Sequence, residues 1–383
     1  MIMKKITKKY IIVIYFIFIA VTLSACTSTS KKVMDTDVKW DISGDVGDKW
    51  KQGQYQFKGL TESESGYYYT NSGNSGNLNI LYFFDKLTGK SAVVCDQANC
   101  KHNDEKCPAY LPTTLTGFCY YNGYIYYISK DENQSTTLYK MDYDGHNKKN
   151  IMTLFNINEA YTASLLTFHR DNLFYSVIGE NNEDVKLYRI DMKKNEKELL
   201  VDVSGNVYIN DLICLDNNVY YDLTLKSGAG TMTSTISQYN IETGDTKKLI
   251  DGEYCNSYTV TKDYIYYATN HNVNKHDIKS GNTSILLDDV KWGQLSNDGI
   301  HLYLDVDKNS KGESIPRNIF VYDWNDKIID SIQVQQSMSK LICLFGDTDY
   351  LFLDDVIAKQ IYYLDKTKIG TNDHEWLKTD VIK

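Results

Sequence analysis

From Gln54 onward the chain repeats a short aromatic strand, and this repetition constrains the fold more tightly than any single motif. Seven such runs follow a turn: Gly66-Tyr-Tyr-Tyr69, Gly123-Tyr-Ile-Tyr-Tyr127, Asn172-Leu-Phe-Tyr175, Asn218-Val-Tyr-Tyr221, Asp263-Tyr-Ile-Tyr-Tyr267, Gly299-Ile-His-Leu-Tyr303 and Asp349-Tyr-Leu-Phe352. Their equivalent positions, Tyr69, Tyr126, Phe174, Tyr220, Tyr266, Leu302 and Phe352, lie 57, 48, 46, 46, 36 and 50 residues apart. Each is followed by an aromatic residue three places before an acid and then a turn: Tyr82-Phe-Phe-Asp85, Tyr139-Lys-Met-Asp142, Tyr188-Arg-Ile-Asp191, Phe320-Val-Tyr-Asp323 and Tyr362-Tyr-Leu-Asp365. The fourth and fifth copies are degenerate, Ser237-Gln-Tyr-Asn240 and Asn274-Lys-His-Asp277. Gly89, Gly145, Gly244 and Gly281 then supply the positive φ of tight hairpins, and another short strand such as Lys197-Glu-Leu-Leu200 comes behind. Tyr, Ile, Val and Thr alternate between Gly and Asn turns, and no window sustains a helical period, so the chain is all-β. Four strands per unit and a period near 47 residues predict a β-propeller of seven four-stranded blades, with about six to eight as the range.

The N-terminus has a different character. Lys4, Lys5, Lys8 and Lys9 precede an apolar run from Tyr10 to Leu23, the layout of a secretory signal peptide. The run is shorter than the roughly 20 apolar residues of a stable membrane helix, although an uncleaved signal anchor is the alternative. The junction Leu23-Ser24-Ala25-Cys26 resembles the lipobox of bacterial lipoproteins, which implies cleavage before Cys26 and lipid attachment to it. Acyl chains hold a soluble domain on a bilayer through about 0.8 kcal/mol per buried methylene. The expected organisation is a lipoprotein signal peptide at 1–25, a lipidated polar tether at 26–53 and a propeller at 54–383.

Without residues 1–25 the chain keeps 37 of its 41 basic residues against 50 acids, a net charge of −13. Only Arg170, Arg189 and Arg317 are arginines. Such a balance argues against nucleic acid, whose binding depends on neutralising phosphates, and disfavours contact with anionic headgroups or acidic proteins.

The sharpest local feature is a cysteine-rich insert in the first interval, at 95–107: Cys95-Asp-Gln-Ala-Asn-Cys100-Lys-His102-Asn-Asp-Glu-Lys-Cys107. Three thiols and an imidazole suffice for tetrahedral zinc at roughly 2.0 to 2.3 Å, where the metal would be structural, pinning a loop with little core of its own. The spacing C-x4-C-x-H-x4-C is not one of the established zinc patterns, and an exported chain can equally use Cys95, Cys100, Cys107 and nearby Cys119 for disulfides or keep them as free thiols. Cys119, Cys214, Cys255 and Cys343 all precede an aromatic strand, which suggests buried positions on innermost strands. Most of the 32 tyrosines occupy fixed repeat positions and are expected between blades. Asp142-Tyr-Asp144-Gly145 is expected to be a hairpin turn, not a calcium loop.

The combination of Tyr124-Ile-Tyr-Tyr127 with Leu138-Tyr-Lys-Met-Asp-Tyr-Asp-Gly145 resembles the β-propeller repeats of low-density-lipoprotein-receptor type found in surface lipoproteins of Firmicutes. The resemblance covers residues 54–383, and those lipoproteins often carry a cysteine-rich insert in an early blade. It departs from the receptor type, which has six blades and a Tyr-Trp-Thr-Asp motif absent here.

Catalytic signatures are scarce. There is no Gly-x-Ser-x-Gly elbow, His-Glu-x-x-His motif or sialidase box, and outside the insert and the turn at His146 the histidines, His169, His271, His276, His301 and His374, are scattered singly. Asp288-Asp289 and Asp354-Asp355 fall at expected strand ends. The expected function is a noncatalytic binding or scaffolding propeller for a protein, peptide or glycan, monomeric and lipid-anchored on the outer face of the cytoplasmic membrane. The alternative is a surface hydrolase or lyase acting on polysaccharide, with carboxylates facing one another at the channel.

Overall fold

The computed structural model describes residues 31–33, 40, 51–52, 60–72, 79–156, 161–179, 184–228, 230–290, 293–309, 311–334, 342–346, 349–355, 360–379 and 381–382. Residues 1–25, Cys26 and most of the 26–53 stretch lie outside them. Among the described residues no helix is long and apolar enough to cross a membrane.

The chain folds as a seven-bladed β-propeller. Each blade is an antiparallel sheet whose four strands follow chain order from the inside outward. In blade 2 these are Gly117–Tyr121, Tyr124–Lys130, Thr136–Asp142 and Lys149–Phe155. The seven aromatic runs form the second strand of blades 1 to 7: Gly66–Ser72, Tyr124–Lys130, Asn172–Gly179, Asn218–Lys226, Tyr264–Ala268, Leu302–Lys308 and Tyr350–Asp355. These strands are apolar nearly throughout because both of their faces are covered, one by each neighbouring blade. Burial follows: the core divides into seven apolar clusters, one at each interface between consecutive blades. Tyrosines recur at these interfaces, as in the stack of Tyr121 on Phe168, with ring centroids 4.8 Å apart between blades 2 and 3.

The acid ending each third strand has a local task. Asp85 Oδ1 accepts the Thr88 N–H at 2.7 Å, and Asp277 Oδ1 accepts that of Ser280 at 2.7 Å. Asn240 does the same for Glu242 and Thr243, both at 3.0 Å, so the degenerate fourth copy keeps the one atom its hairpin needs. Gly89, Gly145, Gly244 and Gly281 all take positive φ, between 65° and 88°.

Acids, tyrosines and lysines also couple blades. Asp171 of blade 3 accepts from Tyr121 of blade 2 at 3.0 Å and pairs with Lys193 at 2.7 Å. Asp298 of blade 6 accepts from Tyr303 at 2.6 Å and pairs with Lys366 of blade 7. Asp326 of blade 6 takes the Tyr266 hydroxyl at 3.3 Å and Lys275 at 2.7 Å, both from blade 5.

Blade 7 closes on blade 1 without exchanging one of the four strands. Leu60–Glu62 is the innermost strand of blade 1, and Leu377–Lys378 is the outermost of blade 7. The seam is aromatic: Tyr67 lies edge-on to Phe352 at 4.7 Å and Phe84 to Tyr363 at 4.9 Å, with Tyr350 Oη donating to Lys86 O at 3.2 Å. Val381–Ile382 then crosses the seam and pairs in parallel with Ser91 and Ala92 of the outermost strand of blade 1.

Two pieces of the stretch expected to be a tether are paired with the propeller. Lys31–Val33 adds an antiparallel strand to the outer edge of blade 3, and Lys51–Gln52 pairs with Ile213 and Cys214 on the inner edge of blade 4. Open sheet edges offer unpaired backbone groups, and a polar strand can satisfy them whatever its side chains.

Phe352 is fully buried at the seam. Its replacement by alanine should cost about 3–5 kcal/mol in urea unfolding, and a loss below about 1 kcal/mol would show that the aromatic seam does not hold the ring.

Candidate metal centre

The insert interrupts a strand. Lys90–Val93 pairs with Tyr82 to Asp85 of the third strand of blade 1, and Tyr110–Leu111 pairs with Ile80 and Asn79 of the same strand. At the break Leu81 serves both halves, accepting from the Val94 N–H at 3.0 Å and donating its own N–H to Ala109 O at 2.8 Å. The outermost strand of blade 1 is therefore continuous in register, and residues 95–108 are extruded at the outer rim. This accounts for the long first interval of the repeat.

Within the extrusion the four expected ligands converge. The Sγ atoms of Cys95, Cys100 and Cys107 and a ring nitrogen of His102 all lie within 4.8 Å of one another. His102 Nδ1 is 3.3 Å from Cys107 Sγ. Two ligands of a tetrahedral zinc sit roughly 3.4 to 3.8 Å apart, given the usual bond lengths. Cys107 is buried, while the other three are half-buried.

Local backbone geometry points each sulfur inward. The chain turns through left-handed residues at Asn99 (φ 62°) and His102 (φ 50°). Short bonds tighten it, with Cys100 N–H to Gln97 O at 3.3 Å and Cys107 N–H to Asp104 O at 3.2 Å. Each thiol in turn accepts a backbone N–H from two residues on: Gln97 to Cys95, His102 to Cys100 and Ala109 to Cys107. Such bonds stabilise a thiolate as ligand, and neither they nor a converging imidazole is required by a disulfide. Burial pushes the Cys107 thiol up to about 12, whereas the His102 N–H lowers that of Cys100. A dication in the middle reverses that burden, because a coordinating thiol is deprotonated outright.

The loop seats on blade 2. Gly145 in its hairpin has φ +88°, and a Cβ there would lie 2.7 Å from Pro108 O. Lys148 Nζ donates to Tyr110 O at 2.6 Å, and His146 Nε2 meets Asp96 Oδ1 at 3.0 Å.

Cys119 stands apart from this group. It lies on the innermost strand of blade 2, where Thr61 Oγ1 approaches its Sγ at 4.0 Å. Cys214 on the innermost strand of blade 4 and Cys255 just before that of blade 5 are buried as expected. Cys343 is on the innermost strand of blade 7, with its side chain outside the described residues. The remaining histidines are dispersed: His169 Nε2 donates to Asp216 O at 2.6 Å, His276 meets Thr283 at 2.9 Å, and His374 meets Asp330 at 2.8 Å.

Among the buried acids that sequence reasoning missed are Asp222 in blade 4 and Asp305 in blade 6. Their signal was an acid inside an otherwise apolar second strand.

No protein-family model matches the chain, and none of the curated proteins does. Solved structures do resemble it in fold. One is a prolyl endopeptidase, at 13% identity and a TM-score of 0.54, covering 87% of this chain and 50% of that one. Another is the β-propeller domain of the trilobed protease from Pyrococcus furiosus, described as having an open velcro topology, at 10% identity and a TM-score of 0.51, covering 85% and 95%. A third is an acylaminoacyl peptidase from Pyrococcus horikoshii, at 11% identity and a TM-score of 0.51, covering 83% and 51%. The chain thus spans about half the length of the two peptidases and nearly all of the isolated propeller domain. At these identities the likeness is one of fold.

A divalent cation held by these four groups should raise the thermal midpoint, and chelation should lower it again. Cys100→Ser should bind at least about tenfold more weakly, read by competition with a chelating dye. Equal affinity in the variant would remove Cys100 from the centre.

Proposed function

We propose that the protein is a noncatalytic binding propeller, lipid-anchored through Cys26 at the outer face of the cytoplasmic membrane, whose extruded rim loop is fixed by a structural zinc ion. Zinc suits three thiolates and an imidazole in a tetrahedral, closed site. The membrane placement rests on the lipobox-like Leu23-Ser24-Ala25-Cys26, and the resemblance to surface lipoproteins of Firmicutes points the same way.

One observation carries the noncatalytic reading: the buried acids are already taken up by partners, some within a blade and some between blades. Asp305 is clasped by Arg317, with Nε at 2.8 Å from Oδ1. Glu198 accepts from Arg189 at 3.4 Å and from Tyr239 at 3.1 Å. Asp171 and Asp298 belong to the couplings between blades. Asp222 takes the N–H groups of Asn210 and Asp211 at 3.1 and 2.9 Å and the Asn210 amide at 2.7 Å. A polysaccharide hydrolase works through two carboxylates that face each other across a cleft. A ligand for this propeller is a protein, peptide or glycan, recognised at the surface.

The soluble form beginning after Cys26, incubated with cell-wall polysaccharides and peptide pools, should be retained by one of them and leave its length unchanged. New reducing or unsaturated ends appearing in proportion to the enzyme added would replace this reading with the catalytic one.

Asp222 makes a pH-dependent contribution to stability. Burial and the neighbouring Asp211 carboxylate push it from 3.8 up to about 7. The folded state then holds a proton that the unfolded state has already released, so stability falls as pH rises from about 4 to about 7 and is level beyond. The slope is at most about 1.4 kcal/mol per pH unit. Urea midpoints across pH 5 to 8 should show this decline in the native chain and a flatter profile in Asp222→Asn; identical profiles would assign the slope elsewhere.

A further inference from the structure

We propose that the outer rim of blade 3 is the surface the propeller turns toward the membrane; this rests on lipid attachment at Cys26. A free polar tether over residues 26–53 would be 28 residues long and, as a coil, would let the domain wander by about 30 Å with no preferred side. The structure shortens it. Lys31–Val33 is already paired with the outermost strand of blade 3, Lys31 opposite Glu198 and Val33 opposite Glu196. Only residues 27–30 separate that strand from Cys26, and five residue steps reach at most ~18 Å even when fully extended.

A second contact fixes the same segment independently of the strand pairing. Trp40 packs on the apolar cluster between blades 2 and 3. Its Nε1 donates to Asn195 Oδ1 at 3.2 Å, at the hairpin that opens the outermost strand of blade 3. Farther along, Lys51–Gln52 is held on the inner edge of blade 4. The segment is thus attached at the rim, at the hairpin and at the inner edge, and the attachment nearest Cys26 is the rim. An edge-on mount leaves both faces of the ring open to solvent. It also keeps most of the acidic surface away from anionic headgroups, which repel it.

The test uses the full lipidated chain in phosphatidylglycerol and phosphatidylcholine vesicles that carry a nitroxide-headgroup lipid as quencher. A fluorescent amino acid replaces exposed Asp202 on the outer strand of blade 3 in one variant, and exposed Ile328 on the outer strand of blade 6, across the ring, in another. The reporter in blade 3 should be quenched severalfold more strongly. In a Trp40→Ala background the difference should shrink while the protein still floats with the vesicles. Flotation with equal quenching at the two sites overturns the orientation alone. A chain that does not float, or a Cys26→Ser variant that floats as well as the native chain, overturns the lipid anchor and the orientation with it.

Discussion

Everything in this molecule depends on one blade covering the face of the next. A four-stranded sheet with two apolar faces cannot be stable alone, and here each finds its cover only by going round the ring. The second strand of each blade bears the load, which is why it is aromatic and β-branched on both sides. Tyr68 of blade 1 stacks on Tyr120 of blade 2 at 5.6 Å and 14°, and Tyr121 on Phe168 one interface later. Because the ring is closed, the last interface has the same status as the others. It receives dense aromatic packing from Tyr67, Phe84, Tyr350, Phe352 and Tyr363, and the C-terminal strand Val381–Ile382 crosses it only at the outer edge.

Once interfaces are buried, polar groups within them must be paired or they become costly. The acids, tyrosines and lysines between blades answer that need. They sit at turns and strand ends, where a side chain can reach across to the neighbouring blade, and they add direction to an apolar contact that has none. Asp305 and Asp222 are held within their own blades, by Arg317 and by Asn210 with the Asp211 N–H. Buried cysteines act as small apolar residues near the axis, where there is little room for more.

The insert is a different kind of element. It packs at the outer end of the interface between blades 1 and 2, and it arises where the outermost strand of blade 1 is cut between Val94 and Ala109 without loss of register. Fourteen residues with few apolar side chains have little to bury, so a convergent set of thiols and an imidazole takes the place of a core. The same rim receives the C-terminal strand beside Ser91 and Ala92, so both irregularities of the ring meet on the outside of blade 1.

Most of the architecture was legible in the sequence because the same requirement recurs seven times: an aromatic strand, an acid to close a hairpin, a glycine to turn it. Even the degenerate copy ending in Asn240 was recognisable, since Asn and Asp both accept the turn's N–H groups. The ligand set of Cys95, Cys100, His102 and Cys107 was legible as a group, because its members are close along the chain. Tertiary structure alone could separate Cys119 from them, since 12 residues of sequence place it near Cys107 while blade 2 carries it to an innermost strand. It alone could also decide how the ring closes, why Asp222 and Asp305 are buried, and that Lys31–Val33 and Lys51–Gln52 pair with sheet edges. The physical reason is common to all of these. They depend on which backbone or side chain lies across an interface, and a polar strand or an isolated acid carries no mark of its partner.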